Sequence, residues 1–381
     1  MSGAPSLLAE TLIQRLTVLV AHDTQNPTGD ERIVCESLAE SLRQLGGRDV
    51  EILPTGQHCS VYARFGEKTP TLLINAHLDT VPANAGYSRP PLTLHRENER
   101  LYGLGSADTK GAIAAALLAV ALCNDSGEPP DGVALLFSGD EEHGGSAIQA
   151  FLSSPRATTF KHVIVCEPTG CKMGIRHRGI GSAHVRATSP GGHSSRADQL
   201  PSPFVILSRA AVAMDDVATK HREIERGGFK GICLNIAGIE GFIAFNVIPS
   251  EAKLYLSVRP PPGTEVATIL HECENAARTA AGSARLEWVN EKDKPPFATA
   301  DEAMFRTLLG NSRHGDPGPT LSLDFWTEAA LFSRRGIDAV VFGPGDIAQA
   351  HAADEFVTVT DLVQACETFA GAMRWSTQHG T

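Results

Sequence analysis

Apolar residues fall into short unbroken runs over much of the first 170 positions, then alternate singly with polar residues over about the next hundred. The runs at 61–65, 71–76, 133–138, 162–166 and 339–342 are too short for helices and have no solvent-facing half. They therefore predict strands buried on both faces. KGAIAAALLAVALC, residues 110–123, has the length and the alanine content of a helix lying between them. Strands alternating with helices predict an α/β fold: a mainly parallel sheet with helices on both faces.

The texture changes near Gly174. RHRGIGSAHVRATSPGGHSS, LNIAGIEGF and AKLYLSVRP alternate in the way half-exposed strands do, and helical stretches at 204–217 and 265–281 accompany them. DKPPF at 293–297 reads as a linker, after which GIDAVVFGPG resumes the first pattern. The expected organisation is one domain over 1–174 and 293–381, interrupted by an inserted α+β lid or dimerisation domain over 175–292.

Composition narrows the function. The chain has 381 residues, more than one ordinary core needs. Lys and Arg total 33 against 44 Asp and Glu, a net charge of -11, which disfavours nucleic acid as a partner. The N-terminal stretch lacks a basic head and spaces its apolar residues helically, so neither a signal peptide nor a membrane span is expected. Eight cysteines without a CxxC pair read as buried thiols, and the cytoplasm is the expected compartment.

Chemistry concentrates where the runs end. TLLINA leads to His77 and Asp79, two apart and therefore on one face of an extended tip. VALLFSG leads to Asp140, Glu141 and Glu142, VIVC leads to Glu167, and AVVFGPGDIAQA leads to His351. Asp108 sits in YGLGSADTKG just before the long helix. Ligands of parallel sheets gather at the carboxyl ends of strands, so these side chains are expected in one region. Histidines with carboxylates and no cysteine suit zinc, cobalt or manganese, and Asp108 placed between two ions would give each of them three ligands. GLGSADTKG is not a phosphate loop, because neither GxGxxG nor GxxxxGK[ST] is present.

HLDTVP, YGLGSADTKG, the DEE triplet, VCEPT, PGGHSS and GPGDIAQAHAADE, in this order and spacing, resemble one family over nearly the whole chain. It is the two-metal amidohydrolase and exopeptidase family of acetylornithine deacetylases, desuccinylases, aminoacylases and glutamate-releasing carboxypeptidases. DFWTEAALFS and GPGDIAQAH are most similar to its acetylornithine and acetylcitrulline deacetylases.

The resemblance implies two divalent ions, zinc or cobalt. His77, Asp108 and Glu167 would hold one, and Asp108, Glu142 and His351 the other. Asp79 would orient His77, Glu141 would be the general base, and the peptide from Asp108 to Thr109 would be cis. His193 would reach the reaction from a partner subunit's inserted domain, which implies a homodimer. Arg259 would grip the substrate α-carboxylate, although Ser257 stands where many members carry aspartate. Asn246 is its expected hydrogen-bonding companion, and the carboxylate of Glu328 is a candidate to face the side-chain ammonium of ornithine, although acetylcitrulline deacetylases carry a similar motif, so Glu328 does not decide between the two substrates. The implied reaction is hydrolysis of an N-acetyl amino acid amide in arginine biosynthesis, with acetylornithine ahead of acetylcitrulline. A broad aminoacylase, a metallo-exopeptidase and a non-catalytic metal-binding dimer are the alternatives.

Overall fold

The computed structural model describes residues 6–380. They form two compact units. The first comprises 6–175, 299–321 and 327–380; the second comprises 176–298 and 322–326.

At the centre of the first unit, strands Val133–Ser138, Leu72–His77, His162–Val165 and Asp338–Val341 lie side by side and parallel. Leu72–His77 and Val133–Ser138 are buried along their whole length, as their unbroken apolar runs demand. The edges of the sheet are antiparallel. Residues 61–65 belong to a longer strand, His58–Phe65, which pairs antiparallel with Val133–Ser138 and forms a hairpin with Arg48–Thr55. Gly56, at φ +61°, supplies the left-handed turn between them. No unbroken apolar run marks Arg48–Thr55, because this edge strand leaves much of its length at least partly exposed. Across the sheet, Gly174–His177 meets Asp338–Val341 antiparallel. The sheet is therefore mixed, with a parallel centre.

Helix Gly111–Asp125 is apolar on all sides because it is surrounded. It packs between Leu7–Val20 and Val359–His379, and Ile113, Ala116, Val120 and Cys123 have no exposed surface. The segment Ser106–Asp125 is long and apolar enough to cross a membrane, but it serves as a core helix here.

In the second unit the strands Cys233–Glu240, Glu251–Arg259, Ile180–Thr188 and Leu286–Lys294 form an antiparallel sheet in that order. Ile180–Thr188 buries every second residue, and Ala183, Val185, Leu254 and Val258 pack with Met214 and Ile269 of helices Pro203–His221 and Val266–Ala281. Strand pairing continues through Lys294, so the first two residues of the expected linker are sheet. Residues 322–326 also join this unit, Trp326 Nε1 donating to the Pro295 carbonyl at 2.9 Å across a sequence separation that no local pattern announces.

Candidate metal centre

The parallel strands deliver their carboxyl ends to one edge of the sheet. His77 is the last residue of its strand, residues 140–142 follow Ser138 by one glycine, and Glu167 follows Val165 by one cysteine. His77 Nε2 lies 2.9 Å from Asp108 Oδ1, and His351 Nε2 lies 3.5 Å from Asp108 Oδ2 and 3.0 Å from Glu142 Oε1. One atom each of His77, Asp108 and Glu142 fit within 4.8 Å of one another. Asp108 thus stands between two histidines and offers one oxygen to each.

The charges are badly balanced. Burial, then the charge of Asp108, pushes the Glu167 carboxyl well above the carboxylate range, with Glu141 and Glu142 adding to it. Burial opposes charging of His77, yet the hydrogen bond and charge of Asp108, followed by Glu167 and Asp79, hold its pKa well above the ordinary value. The hydrogen bond to Glu142 leads in lifting His351 to about 9. Each shift favours the protonated form, as a cluster in which carboxylates outnumber imidazoles dictates. Imidazole nitrogens and carboxylate oxygens converging on such a place, without thiolate, fit divalent cations.

Asp79 is completely buried, and its carboxylate does not do what the HxD spacing suggests. His77 Nδ1 is 2.9 Å from the Asp79 backbone carbonyl and 3.7 Å from its carboxylate. A carbonyl only accepts, so in the neutral ring Nδ1 keeps its proton and Nε2 is left facing Asp108. It is the Asp79 main chain that reaches the ring. This frees the carboxylate to accept from Glu141 N at 3.1 Å, Glu142 N at 3.0 Å and Asn26 Nδ2 at 3.0 Å. Asp79 therefore orients His77 through its main chain and fixes the Glu141–Glu142 turn through its side chain.

Sequence reasoning missed several supports. Asp140 adopts a left-handed φ of +62° and accepts from Gly144 N at 3.1 Å and Ser146 N at 2.8 Å, closing the loop that presents Glu141 and Glu142. Gly139 has no room for a side chain, since a Cβ would come within 2.3 Å of Glu31 Oε2. Thr109 Oγ1 donates to the His77 carbonyl at 2.9 Å and accepts from His77 N at 3.1 Å. The peptide from Asp108 to Thr109 is cis. The cis peptide is the one the family resemblance implies; of the other supports only Asp140 was visible, in the DEE triplet, which drew notice to its last two members.

Three predicted site residues lie in the second unit. His193 is exposed in a two-stranded pairing, Gly192–His193 with Val247–Ile248, and Ser194 N donates to the Asn246 carbonyl at 3.0 Å. This brings His193 and the exposed Asn246 together. Arg259 is half-buried at the end of strand Glu251–Arg259, and Ser257 pairs in register with Ser182 and Asn235.

Glu328 departs from expectation. It is 1% exposed, and its Oε2 accepts from Asn75 Nδ2 at 2.6 Å and Ser138 Oγ at 2.9 Å. A carboxylate sealed among strand residues has no face for a substrate ammonium. The flanking Thr327, Ala329 and Ala330 are buried with it, so the whole WTEAA segment enters the core. Burial raises the pKa of Glu328 above 4.5, against the two hydrogen bonds, and Oε1 has no partner. Stability from a raised carboxyl is full below 4.5 and is lost as pH climbs through the folded value. Glu328→Gln is therefore expected to gain stability relative to the parent as pH rises, with less than about tenfold change in kcat/KM. Thermal melts between about pH 4 and 8 check this, and melting curves that shift in parallel would contradict it.

Comparison with known proteins agrees with this geometry. The family model described as Peptidase family M20/M25/M40 matches residues 73–375. An N-acetyl-L-citrulline deacetylase of Xanthomonas campestris pv. campestris is 38% identical over 95% of this chain and 97% of its own length. An acetylornithine deacetylase of Myxococcus xanthus is 31% identical over 79% of each chain. The crystal structure of an M20 family metallo-carboxypeptidase from Sulfolobus solfataricus shares the fold, with a TM-score of 0.78 at 20% identity over 97% of this chain and 99% of that one. With the family model spanning most of its length, the chain belongs to peptidase family M20/M25/M40.

Proposed function

We propose that the chain removes the acetyl group from an N-acetyl amino acid, with N-acetylcitrulline ahead of N-acetylornithine. The observation that carries the reading is Asp108 offering one oxygen to each of two histidines, with Glu142 and Glu167 beside it. In this reading His77, Asp108 and Glu167 hold one divalent ion, and Asp108, Glu142 and His351 hold the other, zinc or cobalt. Bound ions supply Lewis acidity and acidify a water near neutral pH. Glu141, on the turn fixed by Asp79, accepts the proton of the attacking water and delivers it to the departing amine. Its backbone anchor keeps it beside the ligands without making it one.

Arg259 and Asn246 are assigned to the substrate carboxylate, and His193 to the developing oxyanion as the contribution of a second copy. The exposed aromatic and aliphatic side chains of Phe242, Ile243 and Phe245 next to Asn246 support docking of such a copy through the second unit. The proposed setting is arginine biosynthesis in the cytoplasm, supported by eight free cysteines.

One observation supports citrulline ahead of ornithine. The citrulline relative matches more closely and over more of its length than the ornithine relative quoted. Acetate release from N-acetylcitrulline, N-acetylornithine and N-acetylmethionine, compared as kcat/KM under one set of conditions, tests the order. A preference of at least about tenfold for N-acetylcitrulline supports it. A preference for N-acetylornithine reverses it, and equal rates on all three point to a broad aminoacylase.

A further inference from the structure

Glu355 follows His351 by four residues and is 2% exposed. Its carboxylate serves three backbone N–H groups of one loop: Oε2 accepts from Gly105 at 2.8 Å, and Oε1 accepts from Ala107 at 2.8 Å and Asp108 at 3.0 Å. Its own carbonyl accepts from Gly103 N at 3.0 Å. The loop needs such an acceptor. Gly105 turns left-handed at φ +75°, and the helix that begins at Gly111 has no side-chain cap. One residue later, strand Phe356–Thr358 pairs with Arg100–Tyr102, so the segment is fastened immediately after Glu355. One carboxylate thereby ties the loop carrying Asp108 to the segment carrying His351.

We propose that Glu355 is a positioning residue of the two-ion site, setting the distance between Asp108 and His351 by holding the main chain of the 105–108 loop. The proposal rests on the metal reading above. A carboxylate suits the task because two oxygens with four lone-pair sites can accept three donors, and because negatively charged acceptors make the stronger hydrogen bonds. Glutamine cannot replace it. One of its two ends is an NH2 group, which would confront a backbone N–H and leave at least one loop donor without an acceptor.

The test is a titration of metal-stripped protein with cobalt(II), following heat and visible absorption, for the parent, Glu355→Gln and Glu355→Asp. The parent is expected to bind two ions. Glu355→Gln is expected to bind at least one of them about 10–100-fold more weakly, the range seen when groups supporting metal ligands are removed. Its cobalt absorption bands are expected to shift, because the angle between Asp108 and His351 changes, and a residue that only stabilised the fold would not move them. Glu355→Asp keeps the charge on a shorter arm and is expected to bind more tightly than the glutamine variant. If Glu355→Gln does not fold, a weakened ion and shifted bands in Glu355→Asp carry the same conclusion. Parental affinities and spectra in a folded variant would overturn the positioning role while leaving the metal reading intact. Failure of the parent itself to bind two ions would overturn both.

Discussion

Glu141→Gln is expected to lower kcat about 10²–10⁴-fold while two divalent ions remain bound with parental affinity. The separation of these effects follows from how the turn is built. The Glu141 main chain is held by Asp79 Oδ1 and the Glu142 main chain by Asp79 Oδ2, so the backbone does not depend on the Glu141 side chain. The proposed ligands His77, Asp108, Glu142, Glu167 and His351 are untouched. Glutamine is nearly isosteric but cannot accept a proton from water, so chemistry is lost and binding is kept. The measurement is single-turnover acetate release beside metal analysis of the same sample. A variant retaining more than about a tenth of parental turnover would end the assignment of Glu141 as base. A variant that lost an ion would mean that Glu141 is a ligand and that Glu142 has been given the wrong part.

Asp108→Ala is expected to lose both ions. Its two oxygens face different histidines, Oδ1 toward His77 and Oδ2 toward His351, so one substitution removes a donor from each position. Outer groups that merely support ligands already cost 10–100-fold in metal affinity, and removing a shared ligand is expected to cost on the order of 100-fold or more at each position. The folded chain has a corresponding thermal signature. Ions that bind only the native state raise Tm by mass action, so the parent is expected to melt higher as zinc is added and Asp108→Ala is not. Without metal, the substitution also removes one member of a crowd of carboxylates that pushes Glu167 up, and the metal-free variant is not expected to be much less stable than the metal-free parent. A zinc-dependent rise in Tm equal to the parental one would show that Asp108 is not shared.

The polar tips were legible because parallel strands announce themselves. A fully buried strand such as Leu72–His77 has to be apolar throughout, so its first histidine marks the end, and chain direction puts such ends on one edge. The supports behind the tips were not legible. Asp79 could be picked out from its spacing, but that spacing does not say whether its carbonyl or its carboxylate meets His77. Asn26 and Glu355 look like ordinary loop polar residues, and their roles come from hydrogen bonds across long sequence separations, whereas Asp140 closes its own loop through Gly144 and Ser146. Glu355 reaches a loop about 250 positions earlier, which no window of local sequence contains. Glu328 misled for the opposite reason. A lone glutamate among apolar neighbours suggests a ligand contact, yet those neighbours show equally well that the segment is packed inside. The edge hairpin escaped because Arg48–Thr55, with its bulge and Pro54, alternates too weakly to stand out.

In the proposed reading, two ions organised by Asp108 make this chain an N-acetyl amino acid deacetylase. Its most direct test strips the protein with chelator, titrates it with zinc or cobalt, and follows ions bound per chain together with acetate released from N-acetylcitrulline. The expected result is no release from the stripped protein, binding of two ions per chain, and recovery of turnover as the sites fill. Full activity in the stripped protein, or two ions bound with no acetate released from N-acetylcitrulline, N-acetylornithine or N-acetylmethionine, would contradict it.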